Sequence, residues 1–204
     1  MTLTQRGARL LALCGVAAVL TACSSSGGDG ATADELDQWA FPEAVAGFER
    51  QPLERDDETL TIIANYTLVE PPTLVTIFVY PAPKVVSVGS DAETRAAAEL
   101  LLTEQEFRGG QDALVTSNPV ASLLWEDTQS ILPMLGVEQV GFAAGYGYRG
   151  SGPQGVVDVG TGLLLFRHGD WSVKYRITYD LADEQAAATK ARELMGAVTW
   201  PEFD

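Results

Sequence analysis

The chain has 204 residues, 46% of them hydrophobic and 20% charged, with 4 Trp, 7 Phe and 6 Tyr, a globular composition of a length that suits one domain. Against 28 acidic residues stand 13 basic ones, a net charge of −15, so no basic surplus exists to neutralise phosphates and nucleic acid is excluded as an expected partner. A single histidine, His168, and two cysteines, Cys14 and Cys23, leave the body of the chain without material for His-based metal sites, Ser-His-Asp triads or a disulfide framework; no metal and no cofactor is expected.

The first segment reads as an address. Arg6 and Arg9 form a short basic start, and Leu10 to Ala22 follow as an almost continuous apolar run of 13 residues. A spanning helix needs about 20 apolar residues, so residues 1–22 fit a cleaved signal peptide better than an anchor helix. The run ends in Leu20-Thr21-Ala22-Cys23, which resembles the bacterial lipobox. That resemblance implies cleavage after Ala22, diacylglycerol on the Cys23 sulfur and usually further N-acylation such as palmitate. Each buried methylene adds about 0.8 kcal/mol, so several acyl chains hold a protein on the bilayer. The resemblance therefore implies a lipoprotein on the exported face of a membrane. Ser24 after the cysteine resembles outer-membrane sorting, hence the periplasmic side if the cell has two membranes. Without residues 1–22 the net charge becomes −17, which repels anionic headgroups, so the acyl chains alone would bind the membrane.

Cys23 and the stretch Ser24 to Ala33, SSSGGDGATA, form a flexible tether (residues 23–33), with a reach of about 20 Å. Residues 34–204 then form one globular domain without a second linker. A chain of that size buries roughly 70% of its unfolded surface.

Thr59 to Leu68 alternates, with Leu60, Ile62, Ala64, Tyr66 and Leu68 on one face, and predicts a strand after an exposed Asp56-Asp57-Glu58 turn. Thr73 to Tyr80 predicts its partner. A helix is predicted from Ser90 as cap, with Glu93 closing a capping box; Ala96, Ala97, Leu100, Leu101 and Phe107 share its apolar side and Gly109-Gly110 ends it. Glu104 falls inside that arc, as an edge carboxylate or a functional one. Asn118 to Leu135 stays open between a helix capped by Asn118-Pro119 and strand plus loop. Gly145 to Gly150 matches G-x-G-x-x-G, but the following Ser-Gly-Pro-Gln-Gly cannot open the helix that a dinucleotide site needs, so a Gly-rich strand and loop is expected.

Leu163 to Arg167 and Trp171 to Tyr179 flank His168-Gly169-Asp170, a hairpin signal, with His168 expected to be a solvated turn residue. The second arm puts Trp171, Val173, Tyr175, Ile177 and Tyr179 on one face and Ser172, Lys174, Arg176 and Thr178 on the other. Lys174 and Arg176, with Trp171 beside them, are the candidate binding residues: the cationic pair suits a carboxylate or an acidic neighbour, or else pairs with local Asp and Glu. A closing helix is predicted from about Leu181 to Val198, with Ala187, Ala191, Leu194, Met195 and Val198 buried and Pro201 as its stop.

Phe41-Pro42, Gly47-Phe48, Phe78-Val79-Tyr80, the run from Phe166 to Tyr179 and the closing helix with Trp200-Pro201 resemble uncharacterised bacterial exported proteins and lipoproteins that end in a W-x-V-K-x-R-x-T-Y strand plus helix. More loosely the order of elements is similar to the Mog1/PsbP-like α/β/α sandwich. The expected fold class is α+β, an antiparallel sheet with covering helices. The expected role is a non-catalytic, lipid-anchored envelope module that binds an envelope protein or a small apolar ligand. The latter requires an apolar pocket of roughly 300–1,000 Å³ between sheet and helices. The alternative is an envelope hydrolase using paired carboxylates, which requires two acids converging in a cleft, one with a raised pKa.

Overall fold

In the computed structural model residues 30–85, 91–131, 140–152 and 155–202 are described. The signal peptide, Cys23, most of the tether and Ser90 lie outside them. A one-turn helix, α1 (Ala33–Leu36), opens the domain. Its cap is Thr32, whose Oγ1 accepts from the Glu35 N–H at 3.3 Å, while Glu35 Oε2 accepts from the Thr32 N–H at 3.0 Å. The first helix thus takes Thr32 and Ala33 from the stretch expected to be tether.

Among the described residues nine strands form one antiparallel sheet: β1 (Ala44–Val45), β2 (Phe48–Arg50), β3 (Glu54–Asp56), β4 (Thr61–Leu68), β5 (Thr73–Pro81), β6 (Ser122–Ile131), β7 (Val140–Gly152), β8 (Gly155–His168) and β9 (Trp171–Asp180). Their order is β1-β2-β4-β5-β9-β8-β7-β6, with β3 added on β4. β4 begins at Thr61 rather than Thr59, because Leu60 sits at φ 51° in the turn after Asp56. The β8–β9 hairpin closes over Gly169-Asp170, and Gly169 takes the left-handed conformation (φ 57°) that the tight turn requires.

The long helix α2 (Ala92–Ser117) crosses one face, and α3 (Glu184–Met195) the other, after a 3₁₀ turn at Leu181–Asp183. α2 departs from the expected helix at both ends. Its cap is Asp91, whose Oδ1 accepts from the Thr94 N–H at 2.8 Å. It also runs through Gly109-Gly110, ending at Asn118, which caps its C-terminus instead of opening a new helix. The residues that follow form β6. Two mid-helix glycines cost about 1 kcal/mol each, but Gly110 lets the helix press on the sheet: a Cβ there would lie 3.4 Å from Leu163 Cδ2. The buried stripe is Thr103, Phe107, Gln111 and Leu114, with Leu101 exposed, so the helix is rotated from the expected arc. Phe107 stacks on Phe142 with centroids 5.8 Å apart.

On the α3 face lies the larger core. Ile62, Ala64 and Tyr66 of β4, Val75, Ile77 and Val79 of β5, and the alternate residues of β9 meet Ala187, Ala191, Leu194 and Met195. α3 stops at Met195, short of the expected Val198, because the Thr199 N–H donates to Ala40 O and draws the chain into an extended bridge. His168 is no solvated turn residue. Its Nε2 donates to Pro201 O at 2.7 Å, and its ring sits edge-on between Trp39 and Trp200.

The Gly-rich motif is a strand, β7. Its glycines accept aromatic and aliphatic side chains from the neighbouring strand: a Cβ at Gly145 would collide with the Trp125 indole, and one at Gly147 would press on Leu124 at 3.2 Å. Gly160 on β8 likewise lies beneath the Tyr179 ring.

Gly160→Ala should destabilise the protein by about 1–3 kcal/mol through overpacking, whereas Gly109→Ala, where a Cβ meets nothing within 4 Å, should stabilise it by about 0.5–1 kcal/mol. Urea titration of the pair checks both signs.

Buried phenols set the alkaline limit. Burial pushes Tyr66 and Tyr179 up to about 12, and Tyr175 higher still. The unfolded chain loses these protons first, near pH 10, so their contribution is complete below pH ~10 and is lost as pH rises from ~10 through ~12. Melting temperature should fall across that window, with tyrosinate absorbance rising together with unfolding; phenolate signal in the intact fold at pH ~10.5 from Tyr66 would contradict it.

Candidate functional site

β9 is the strand that assembles the site, because strand geometry sends alternate side chains to opposite faces. Trp171, fully buried, points to the α3 face and packs at 6.3 Å from Trp39. It is therefore separated by the sheet from Lys174 and Arg176, and these three candidate residues do not form one cluster. The two cations share the α2 face with Ser172 and Thr178.

Register places their neighbours. Tyr80 lies opposite Ser172, Phe78 opposite Lys174, Thr76 opposite Arg176 and Leu74 opposite Thr178. One strand further out, Ile63, Asn65 and Thr67 continue the same face. On the other side of β9, Leu165 and Leu163 pair with Lys174 and Arg176 and are buried beneath α2. The helix thus covers the β8–β7 half of this face. Over β4 and β5 the outward side chains Ile63, Asn65, Leu74, Thr76 and Phe78 remain only half-buried. Lys174 and Arg176 stand where the covered half meets the open half.

The inner end of the site is a hydrogen-bonded knot around Glu106 of α2. Ser172 Oγ donates to Glu106 Oε2 at 2.9 Å, and the Tyr80 hydroxyl bonds to the same carboxylate. The Lys174 ammonium lies 4.6 Å from the Phe78 ring centroid and 5.5 Å from that of Tyr80, a cation–π arrangement. Burial lowers the pKa of Lys174; Glu106 opposes that shift and Arg176 reinforces it. The unfolded chain thus holds this proton to higher pH, so the penalty on Lys174 is full at low pH and is relieved as pH rises towards 10.5.

Arg176 is different. It is half-buried on a central strand, yet makes no ion pair or hydrogen bond among the described residues. Several other arginines find carboxylates: Arg55 meets Asp57 at 2.5 Å, Arg108 meets Glu126 at 2.5 Å and Arg167 bridges Asp170 and Glu99, whereas half-buried Arg50, among the described residues, donates only to Gln51 O. Arg95 and Arg192, which also lack one, are exposed on helices. The expectation of pairing with local acids is therefore replaced by an aromatic and Glu106 environment for Lys174, and by no partner for Arg176. Sequence reasoning missed Glu106, Phe78 and Tyr80 as members of this site, because their placement depends on strand register and on where α2 lies.

Elsewhere the acids are structural. Glu104 pairs with Arg108 at 3.6 Å on the side of α2. Asp56 accepts the N–H groups of Glu58 and Thr59, and Asp91 caps α2; hydrogen bonding lowers both below the usual carboxylate range. An open depression of about 540 Å³ lies by the start of α3, lined by Pro71, Ala182, Asp183, Gln185, Thr189 and Lys190. It has the size expected of a ligand pocket but sits at the surface of α3 rather than between sheet and helix. No group of three or more metal-ligating side chains gathers among the described residues, and none of the described helices is long and apolar enough to cross a membrane.

Glu106→Ala should leave the buried Ser172 and Tyr80 hydroxyls without their acceptor, costing about 1–3 kcal/mol, and should lower the Lys174 pKa further. Denaturant unfolding and a ¹³Cε titration of Lys174 read the two effects; an unchanged or raised Lys174 pKa would contradict the assignment of Glu106.

No protein-family model matches the sequence, and neither does any curated protein. Among solved structures, the chain is similar to the Ran-binding protein Mog1p of Saccharomyces cerevisiae, at 18% identity and a TM-score of 0.35, over 74% of this chain and 77% of that one. It is also similar to a crystal structure from Bacteroides thetaiotaomicron, at 11% identity and a TM-score of 0.34, over 78% of this chain. The match spans about half of that protein, 47% of its length. Likenesses of this order carry no functional argument.

Proposed function

We propose that the protein is a lipid-anchored cell-envelope module that binds a partner and does no chemistry of its own. The observation that carries the reading is Leu20-Thr21-Ala22-Cys23 at the end of a 13-residue apolar run with a basic start. A thiol in that place is the group that accepts diacylglycerol, and small residues before it suit a narrow peptidase cleft. The Ser/Gly stretch from Ser24 to Gly30 has no large side chain, so it acts as a spacer of about 15 Å between bilayer and domain, Ala31 being packed on the core and Thr32 capping the first helix.

A compact α+β unit with a half-open sheet face supports the binding part of the reading. The exported face of the membrane is the proposed location, the periplasmic side of the outer membrane where two membranes exist.

In cells fed an alkyne fatty acid, the wild-type protein should carry label and sediment with membranes. Cys23→Ala should lose the label and fail to mature. Label persisting in Cys23→Ala would sink the anchoring site.

A further inference from the structure

The open half of the α2 face has a pattern of its own. Three register pairs cross it in a row: Phe78 with Lys174, Thr76 with Arg176, Leu74 with Thr178. Two apolar side chains, Phe78 and Leu74, therefore bracket the position of Arg176, each two residues along β5 from Thr76, about 7 Å away along the strand. Of the two cations, Lys174 is already engaged with aromatic rings and faces Glu106. Arg176 has no carboxylate within ion-pair distance among the described residues.

Arg176 is half-buried as a residue, but its guanidinium nitrogens are not among the fully buried unpartnered atoms, so its stem packs on the sheet and its head group reaches solvent. Its five donors form a rigid fork that matches a carboxylate in bidentate fashion. With no carboxylate paired to it among the described residues, the fork is available. Thr76 beside it is engaged with Asn65, to which its hydroxyl donates at 2.8 Å, so it does not compete for the guanidinium.

The geometry points to this row as a docking surface for an acidic peptide segment of a partner protein, one that presents a carboxylate to Arg176 between two apolar side chains resting on Phe78 and Leu74. An extended segment matches the row, since its own alternate side chains repeat at the same spacing as those of β5. Among the described residues the row is half-buried and linear rather than an enclosed cavity, which suits a chain segment better than a small molecule. The inference deepens the proposed binding role and rests on it.

The test uses the full-length protein in detergent and a short dye-labelled peptide with one glutamate and a leucine two positions to either side. A second peptide has glutamine in place of glutamate. Because the protein carries a net charge of −15, non-specific electrostatics favours the glutamine peptide, so a preference for glutamate reports the local site. Fluorescence anisotropy should show the glutamate peptide binding at least about tenfold more tightly than the glutamine peptide, as expected for hydrogen bonds to charged groups. That preference should vanish in Arg176→Gln. Thr76→Glu, which places a carboxylate beside the guanidinium, should abolish it too and serves if Arg176→Gln fails to fold. Equal binding of the two peptides, no binding of either, or a preference that survives both substitutions overturns the proposal. Fatty-acid labelling of Cys23 is read independently, so failure of the docking surface and failure of the anchor are told apart.

Discussion

The structure depends on one strand being paired along its whole length on both sides. β9 bonds to β5 from Thr73 to Pro81 and to β8 from Val159 to His168, so each of its alternate side chains faces a fully built layer. On one face Trp171, Val173 and Tyr175 are wholly buried, each worth about 1.5–3 kcal/mol or more relative to exposure. That burial fixes the register, because a slip by one residue would exchange this face for Ser172, Lys174 and Arg176. The position of the cations is thus a consequence of where the aromatics must go.

The termini of the domain close on the same strand. Trp39, which follows α1, and Trp200, which follows α3, meet with centroids 5.4 Å apart, and Trp39 lies against Trp171. Phe166 stacks on Tyr175 and contacts Trp200, while His168 bonds Pro201. The start and the end of the domain are therefore held by one aromatic cluster at the hairpin end of β9. Across the sheet, Arg167 reaches Gly169 O, Pro83 O, Asp170 and Glu99, tying the same hairpin to β5 and α2. One end of the sheet is locked by rings on one face and by a guanidinium on the other.

The open half of the α2 face follows from the helix's place over β7 and β8. α2 needs Gly110 to approach Leu163, and it needs Phe142, Ala144 and Leu165 as its bed. That bed lies to one side of β9, so β4 and β5 keep their outward residues half in solvent. Arg176 stands at the boundary, and a cation on a protein of strongly negative net charge favours selective over promiscuous capture of anions, since the long-range field repels them and only close contact rewards them. In the proposed setting, a tether of about 15 Å would let this surface turn towards a neighbour on the same membrane.

Much of this was legible in the residues themselves. The strands from Ile62 to Leu68 and from Thr73 to Tyr80, the hairpin at Gly169-Asp170, the two faces of β9 and the buried stripe of Ala187, Ala191 and Leu194 all follow from periodicity and turn chemistry, which act within a few residues. What required the tertiary structure was everything set by contacts between distant segments. Gly109-Gly110 reads as a helix stop, but packing on Leu163 carries the helix through it. Asn118-Pro119 leaves a helix start and a strand both open, and pairing with β7 decides for the strand. Gly145 to Gly150 reads as a Gly-rich strand and is one, but only the Trp125 and Leu124 side chains lying on Gly145 and Gly147 explain its glycines. His168 belongs to a ring cluster assembled from three places in the chain, and the juxtaposition of Arg176 with Thr76, Phe78 and Leu74 exists only through strand register. Local propensities are worth about 1 kcal/mol per residue and yield when long-range packing, which sums many contacts, points elsewhere.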